Sequence, residues 1–215
     1  MAEQTEQTEQ TGTQKAVTRR DSLKIGVAAG GVALAAFLGQ AVFFLVDGTP
    51  VLRPPGIQSE ADFMSRCTKC GKCLEACPYA AITAAGVDAG MACGTPCIDA
   101  RAEACRLCTD FPCVAACPTG ALRSVEEMHD VKMGYAVIDT DVCIAYQGLR
   151  CEVCYRSCPL IDEAITIDYQ KREGDDIHTV FGPVIDEEKC VGCGLCVQRC
   201  AMDEPDLPIK IVPLA

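Results

Sequence analysis

The sequence has no tryptophan, and aromatic residues make up only 5 % of its 215 positions. A domain of this length normally fills its core with large apolar side chains. A chain poor in them needs another source of cohesion, and bound inorganic groups supply one. Histidine is scarce as well: His129 and His178 are the whole complement, and both read as surface residues of connecting segments. Basic residues are in deficit, 19 Lys and Arg against 30 Asp and Glu, for a net charge of −11. That argues against nucleic acid as a partner, because phosphate binding needs clustered cations, and against anionic lipid headgroups. It fits a soluble chain with a basic or mixed protein partner. Nor is there a Ser-His-Asp set, a phosphate loop or a dinucleotide fingerprint, so no residues are placed for substrate chemistry.

Cysteine is what the chain has in excess. There are 18, all between Cys67 and Cys200, a density that marks a disulfide scaffold or a metal protein. They fall into four motifs. C-T-K-C-G-K-C-L-E-A-C-P spans Cys67 to Pro78, with Cys67, Cys70, Cys73 and Cys77. C-R-L-C-T-D-F-P-C-V-A-A-C-P holds Cys105, Cys108, Cys113 and Cys117. C-I-A-Y-Q-G-L-R-C-E-V-C-Y-R-S-C-P holds Cys143, Cys151, Cys154 and Cys158. C-V-G-C-G-L-C-V-Q-R-C holds Cys190, Cys193, Cys196 and Cys200. The near-regular spacing of the first cysteines makes this an internal repeat.

The spacing carries the chemistry. C-x₂-C-x₂-C lets one tight loop present three thiolates to three corners of an Fe₄S₄ cube, while the fourth cysteine ligates the neighbouring cluster. The following Pro ends the short helical turn. Disulfides gain nothing from this repeated pattern. Zinc sites show paired C-x₂-C units with longer gaps, often with His, and [2Fe–2S] centres use other spacings. The sixteen motif cysteines are therefore read as the iron ligands of four [4Fe–4S] clusters.

Short β-branched runs flank the motifs: Val137-Ile138-Asp139, Ala164-Ile165-Thr166-Ile167, Val184-Ile185-Asp186 and Ile209-Lys210-Ile211, with Ala81-Ile82-Thr83 and Ala121-Leu122 in the first half. Each unit reads as strand, cluster loop, short helix, strand. The expected fold is α+β: two ferredoxin-like two-cluster [4Fe–4S] modules after an N-terminal signal or anchor helix. Nested pairing is preferred, because it groups the two regular motifs and the two irregular ones. It would join Cys67, Cys70 and Cys73 with Cys200, and Cys190, Cys193 and Cys196 with Cys77. Cys105, Cys108 and Cys113 would join Cys158, and Cys143, Cys151 and Cys154 would join Cys117. Sequential pairing exchanges Cys77 with Cys117 and Cys158 with Cys200. Cys77 beside the second motif would refute the nested version.

Cys93 and Cys97 are left over. They can form a disulfide, an extra metal site, or buried thiols, with Cys97 in a strand position that Val184 fills in a later repeat. Tyr79, Tyr146 and Tyr155 lie near motif cysteines and are read as shields against water. Lys69, Lys72, Arg150 and Arg156 tune potentials, dock a partner, or form the polar side of short loops.

Ahead of the motifs, residues 1–47 read as an address. Residues 1–18 are polar and repetitive, a composition that does not fold. Arg19 and Arg20 precede 22 uncharged residues, Ile25 to Val46. As a helix this run reaches roughly 33 Å, enough to cross a bilayer. The pair resembles a twin-arginine export signal, a route suited to a protein that takes up its clusters before crossing. Cleavage near Gly39-Gln40-Ala41 and retention as an anchor are both open. Arg19, Arg20 and Lys24 stay cytoplasmic, which places the rest outside. Residues 48–58, with Pro50, Pro54 and Pro55, read as an extended linker, and 59–215 as the four-motif domain.

Leu52-Arg53-Pro54-Pro55-Gly56, the run from Gln147 to Arg156, and Ile161-Asp162-Glu163-Ala164-Ile165-Thr166 resemble the NapG/MauM ferredoxin-type family. The resemblance implies a periplasmic carrier of four [4Fe–4S] clusters. It implies as partners a polytopic membrane iron–sulfur quinol dehydrogenase subunit and a periplasmic c-type cytochrome or reductase, most often nitrate reductase, with export by the twin-arginine translocase. Cys93 and Cys97 depart from the family pattern. The competing expectation is the iron–sulfur subunit of a molybdenum oxidoreductase complex.

Overall fold

Four consecutive cysteine loops leave room only for very short elements between them. The computed structural model describes residues 48–171, 174 and 179–214. The 1–47 segment with Arg19, Arg20 and Lys24, and His178, lie outside the described residues.

The chain enters through Leu52 to Ile57, which is buried and turns at Pro55-Gly56. This stretch belongs to the 48–58 segment expected as a linker, and here it forms part of the core. The reason lies in Arg53, whose side chain is fully buried. Its Nε donates to Glu60 Oε2 at 2.9 Å, and Nη1 donates to Thr95 Oγ1 at 2.6 Å and to the Pro96 carbonyl at 2.8 Å. The guanidinium lies 4.7 Å from the Phe63 ring centroid. Burying a cation demands this degree of pairing.

Helix α1 (Glu60–Arg66) follows. Ser59 caps it by accepting from the Asp62 N–H, acidic residues fill its first turn and Arg66 its last, as the helix dipole favours. Phe63 is its buried anchor. Next come α2 (Lys72–Ala76), β1 (Ile82–Ala84), β2 (Pro96–Ile98) and α3 (Pro112–Ala115). The second half contains β3 (Gly134–Ile138), α4 (Val153–Ser157), β4 (Ile165–Lys171), β5 (Thr179–Ile185), α5 (Leu195–Arg199) and β6 (Ile209–Pro213). Helices of four or five residues do not persist alone in water, so α2 to α5 are stabilised by what they pack against.

Among the described residues the strands form three antiparallel pairs, β1–β2, β3–β6 and β4–β5. Two registers coincide. Ile82, Thr83 and Ala84 face Ile98, Cys97 and Pro96, while Ile165, Thr166 and Ile167 face Ile185, Val184 and Pro183. Cys97 thus occupies the position of Val184. In the second half, β3 precedes the third motif and pairs with β6, which follows the fourth. The first half reproduces this pairing in reduced form: the Arg123 N–H donates to the Gly56 carbonyl at 2.8 Å. Ala121-Leu122, expected as a strand, leads into this single contact rather than a strand.

Helix α2 packs on α3, and α4 packs on α5. Each two-motif stretch therefore closes on itself, and the chain carries two ferredoxin-like modules in sequence. The preferred nested pairing is wrong. It sorted the motifs by loop regularity, a property of insertions inside a loop that says nothing about partners. Sequential closure also spans far fewer residues and loses less chain entropy. Among the described residues, no helix is long and apolar enough to cross a membrane.

Candidate metal centres

The backbone of each cysteine loop is bent by residues in the left-handed region. Between the first two cysteines of the first, second and fourth motifs stand Lys69 (φ 55°), Leu107 (φ 50°) and Gly192 (φ 71°). At the start of the ligand-bearing helices stand Gly71 (φ 78°), Phe111 (φ 40°) and Gly194 (φ 83°). Non-glycine residues are strained there by about 1–3 kcal/mol each. The same curvature recurs with and without glycine, so the loop shape is dictated by what it must surround.

These loops enclose four cavities, each ringed by four cysteines. Site A has Cys67, Cys70, Cys73 and Cys117. Site B has Cys77, Cys105, Cys108 and Cys113. Site C has Cys143, Cys151, Cys154 and Cys200. Site D has Cys158, Cys190, Cys193 and Cys196. Their empty volumes, open solvent included, are about 330, 350, 380 and 320 Å³. All sixteen motif cysteines are accounted for, and in every site three come from one motif and the fourth from its sequence neighbour. Cys77 lies beside the second motif, the outcome that refutes nesting.

The donor set fits a polynuclear core. Among the described residues, no three His, Cys, Asp or Glu side chains meet closely enough to hold a single metal ion. The thiols ring a space instead of converging on a point, as the corners of a cube require and a tetrahedral zinc does not. Burial pushes several thiols up: Cys73 to about 11, and Cys105, Cys113, Cys154 and Cys193 to about 12. Their sulfur neighbours add to the shift, Cys67, Cys117 and Cys70 for Cys73, and Cys143, Cys151 and Cys200 for Cys154. Four crowded thiolates repel one another unless cations neutralise them, a charge that bound iron would supply.

Backbone N–H groups are aimed at sulfur. Leu122 N–H donates to Cys117 Sγ at 3.5 Å and Ala136 N–H to Cys190 Sγ at 3.4 Å. At Cys117, burial raises the pKa, but bonds from Leu122, Thr119 and Ala121 outweigh it, and the thiol ends below its ordinary value. Exposure varies: Cys70 is exposed, whereas Cys113, Cys143 and Cys193 are buried.

Residues singled out near the motifs have defined contacts. Lys69 and Lys72 line site A, and Lys69 Nζ donates to the Cys93 carbonyl at 2.6 Å. Tyr79 lines site B beneath the Arg106 guanidinium, 5.8 Å from its ring centroid. The Tyr146 hydroxyl donates to the Pro183 carbonyl at 3.0 Å, and the Tyr155 hydroxyl to Asp162 Oδ1 at 2.6 Å. Arg150 and Arg156 both pair with Glu152, whose carboxyl they hold below the usual range. His129 is exposed and bonds Glu163 at 3.1 Å. Cys93 and Cys97 are free thiols that line none of the four sites; Cys97 Sγ lies 3.6 Å from Thr83 Oγ1. Sequence reasoning missed Arg101, which joins the two modules. Its only signal is a cation four residues before Cys105.

The repeated loops and four-thiol sites define a ferredoxin-type iron–sulfur protein. The 4Fe-4S dicluster domain family matches twice, at residues 66–121 and 149–203. The first match covers the first two motifs, and the second covers the third motif from Cys151 onward together with the fourth; two dicluster domains give the chain four [4Fe–4S] clusters. Among relatives, the ferredoxin-type protein NapG of Escherichia coli K12 is 44 % identical over 76 % of this chain and 71 % of its own length. The methylamine utilization ferredoxin-type protein MauM of Methylorubrum extorquens is 38 % identical over 93 % of this chain and 90 % of its own. MauM of Paracoccus denitrificans is 38 % identical over 94 % and 90 %. The chain belongs to the NapG/MauM ferredoxin-type family, and it is an electron-transfer protein of that type.

Proposed function

We propose that Cys67, Cys70, Cys73 and Cys117 hold the first cluster, Cys77, Cys105, Cys108 and Cys113 the second, Cys143, Cys151, Cys154 and Cys200 the third, and Cys158, Cys190, Cys193 and Cys196 the fourth. The observation that carries this is the four-thiol ring of each site. Each bound cluster supplies a one-electron centre. The chain's own residues orient the thiolates, exclude water and direct N–H dipoles at sulfur, as Leu122 does at Cys117 and Ala136 at Cys190.

On this reading the protein carries electrons from a polytopic membrane quinol dehydrogenase subunit toward a periplasmic reductase, nitrate reductase foremost, directly or through a c-type cytochrome. Residues 1–47 are a twin-arginine signal, cleaved or retained as an inner-membrane tether, 48–58 lead in, and 59–215 are the cluster-bearing domain in the periplasm. The identity of about 38 % to methylamine utilization proteins over nearly the whole chain supports a second setting: a periplasmic chain of methylamine utilization, in which electrons released by amine oxidation enter the carrier. Anaerobic purification with metal analysis and an electron paramagnetic resonance (EPR) redox titration tests the carrier role. About sixteen irons per chain and one-electron signals support it; colourless, zinc-loaded protein overturns it. Reduction of a purified periplasmic reductase by the pre-reduced protein supports the first setting, and reduction of the oxidised protein by an amine-oxidising chain supports the second. Stable co-purification with a large molybdenum subunit would instead favour the iron–sulfur subunit of a molybdenum oxidoreductase.

A further inference from the structure

The two modules meet where the segment before Cys105 crosses the fourth motif. The Cys105 N–H donates to the Cys193 carbonyl at 3.0 Å, joining a residue of site B to a residue of site D. Gly194 presses on Ala100 so closely that a Cβ there would lie 2.5 Å from the Ala100 Cβ. Gln198 Nε2 donates to the Ala102 carbonyl at 3.3 Å. Arg101 spans the junction. Its Nη1 donates to the Val197 carbonyl at 2.9 Å and reaches those of Gln198 and Cys200 at 3.4 Å, while Nη2 donates to Met202 O at 3.2 Å and pairs with Asp203.

These carbonyls lie at and just beyond the end of α5, where backbone acceptors lack the donors of a further turn; that of Val197 also accepts the Cys200 N–H at 3.3 Å. Helix α5 carries Cys196 of site D and ends at Cys200 of site C. One guanidinium from the first module therefore fastens the element that serves both sites of the second. Arg suits this task because its planar fork carries five donors. Arg101 is itself oriented by Asp99, whose Oδ1 accepts its backbone N–H at 2.9 Å.

We propose that Arg101 is a positioning residue, the latch that holds sites B and D together and so arranges the four sites in the order A, B, D, C. The outer sites are then A, with its exposed Cys70, and C. This rests on the cluster assignment above.

The test uses the full chain with its clusters. Arg101→Gln shortens the side chain and removes the charge and most of the fork. It is expected to retain about sixteen irons and the magnetic coupling within each module, and to lose the coupling between modules in the fully reduced EPR spectrum. Amide hydrogen exchange over 99–105 and 193–203 is expected to quicken. Arg101→Lys recovers part of the effect, and Gln198→Ala reproduces a smaller version. Unchanged inter-module coupling and exchange in iron-replete Arg101→Gln overturns the latch. Iron loss confined to sites C and D overturns it too, because it assigns Arg101 a purely local role in α5. A wild-type protein that folds without clusters defeats the assignment, and the exchange measurement on that folded protein then judges the latch by itself.

Discussion

Arg53 Nη1 donates to Thr95 Oγ1 at 2.6 Å, across 42 positions of sequence and with neither side chain open to solvent. The bond fastens the incoming strand to the turn before β2. Arg53→Met removes it while leaving Glu60, Thr95 and the Pro96 carbonyl without their donor. Glu60 is 35 % exposed and regains water when its partner goes, so the cost is that of lost charge-assisted hydrogen bonds and an unpaired buried carbonyl, about 2–3 kcal/mol. Thr95→Ala removes one partner and costs about 1–2 kcal/mol. Denaturant titration of the anaerobic holoprotein reads both, and equal small losses would contradict the ranking.

Sequential pairing makes the cysteine at each motif's end a reporter of its neighbour. Cys117→Ser is expected to disturb the cluster of site A, and Cys200→Ser that of site C. Mössbauer and EPR spectra of the two variants should each show one altered cluster and three unaltered ones. Combined with Cys67→Ser, Cys117→Ser should add no second altered cluster, whereas Cys200→Ser should. The reverse pattern would restore nesting.

Asp62 joins α1 to the end of the second motif. It pairs with Arg66 at 2.9 Å and with Arg123 at 3.0 Å. The Arg66 hydrogen bond, with Arg123 behind it, holds its pKa below 3.8. A depressed carboxylate stabilises the fold above its unfolded value and loses that contribution only as pH falls through the folded value. Asp62→Asn should therefore lower the melting temperature by an amount that stays constant from pH 8 down to about pH 5. A deficit that shrinks within that window would show that the carboxylate titrates higher.

Iron removal should dismantle the fold, not merely bleach it. Cys113 and Cys193 belong to the main core cluster, and half of the other motif cysteines pack against it, among them Cys67, Cys73, Cys105 and Cys158. Chelation under reducing conditions is expected to collapse amide resonance dispersion and abolish slow hydrogen exchange across residues 48–214. Slowly exchanging amides surviving in β4 and β5 would show that the second module stands without metal.

The ligand loops were legible because their chemistry is written in spacing: the motif positions, the strand at Val137-Ile138 and the Cys97–Val184 equivalence all follow from the repeat. Partner choice was not, because C-x₂-C-x₂-C describes one loop and is silent on which loop faces it. Helix α1 went unread despite Ser59 followed by Asp62, since its apolar face is little more than Phe63 and carries almost no periodic signal. Arg53 sat in a proline-rich stretch that suggested a spacer; only its contacts with Thr95, Pro96 and Glu60 show it to be core. Arg101 depends on carbonyls about a hundred positions away, and backbone acceptors leave no mark in a sequence.

Sites A and B are lined only by residues from Pro55 to Leu122, and sites C and D only by residues from Ile138 to Ile211. Each half of the polypeptide is thus self-sufficient in ligands. During synthesis the earlier half can fill before the later half leaves the ribosome. A tandem copy of one gene segment, followed by drift in loop length, is enough to have produced the whole.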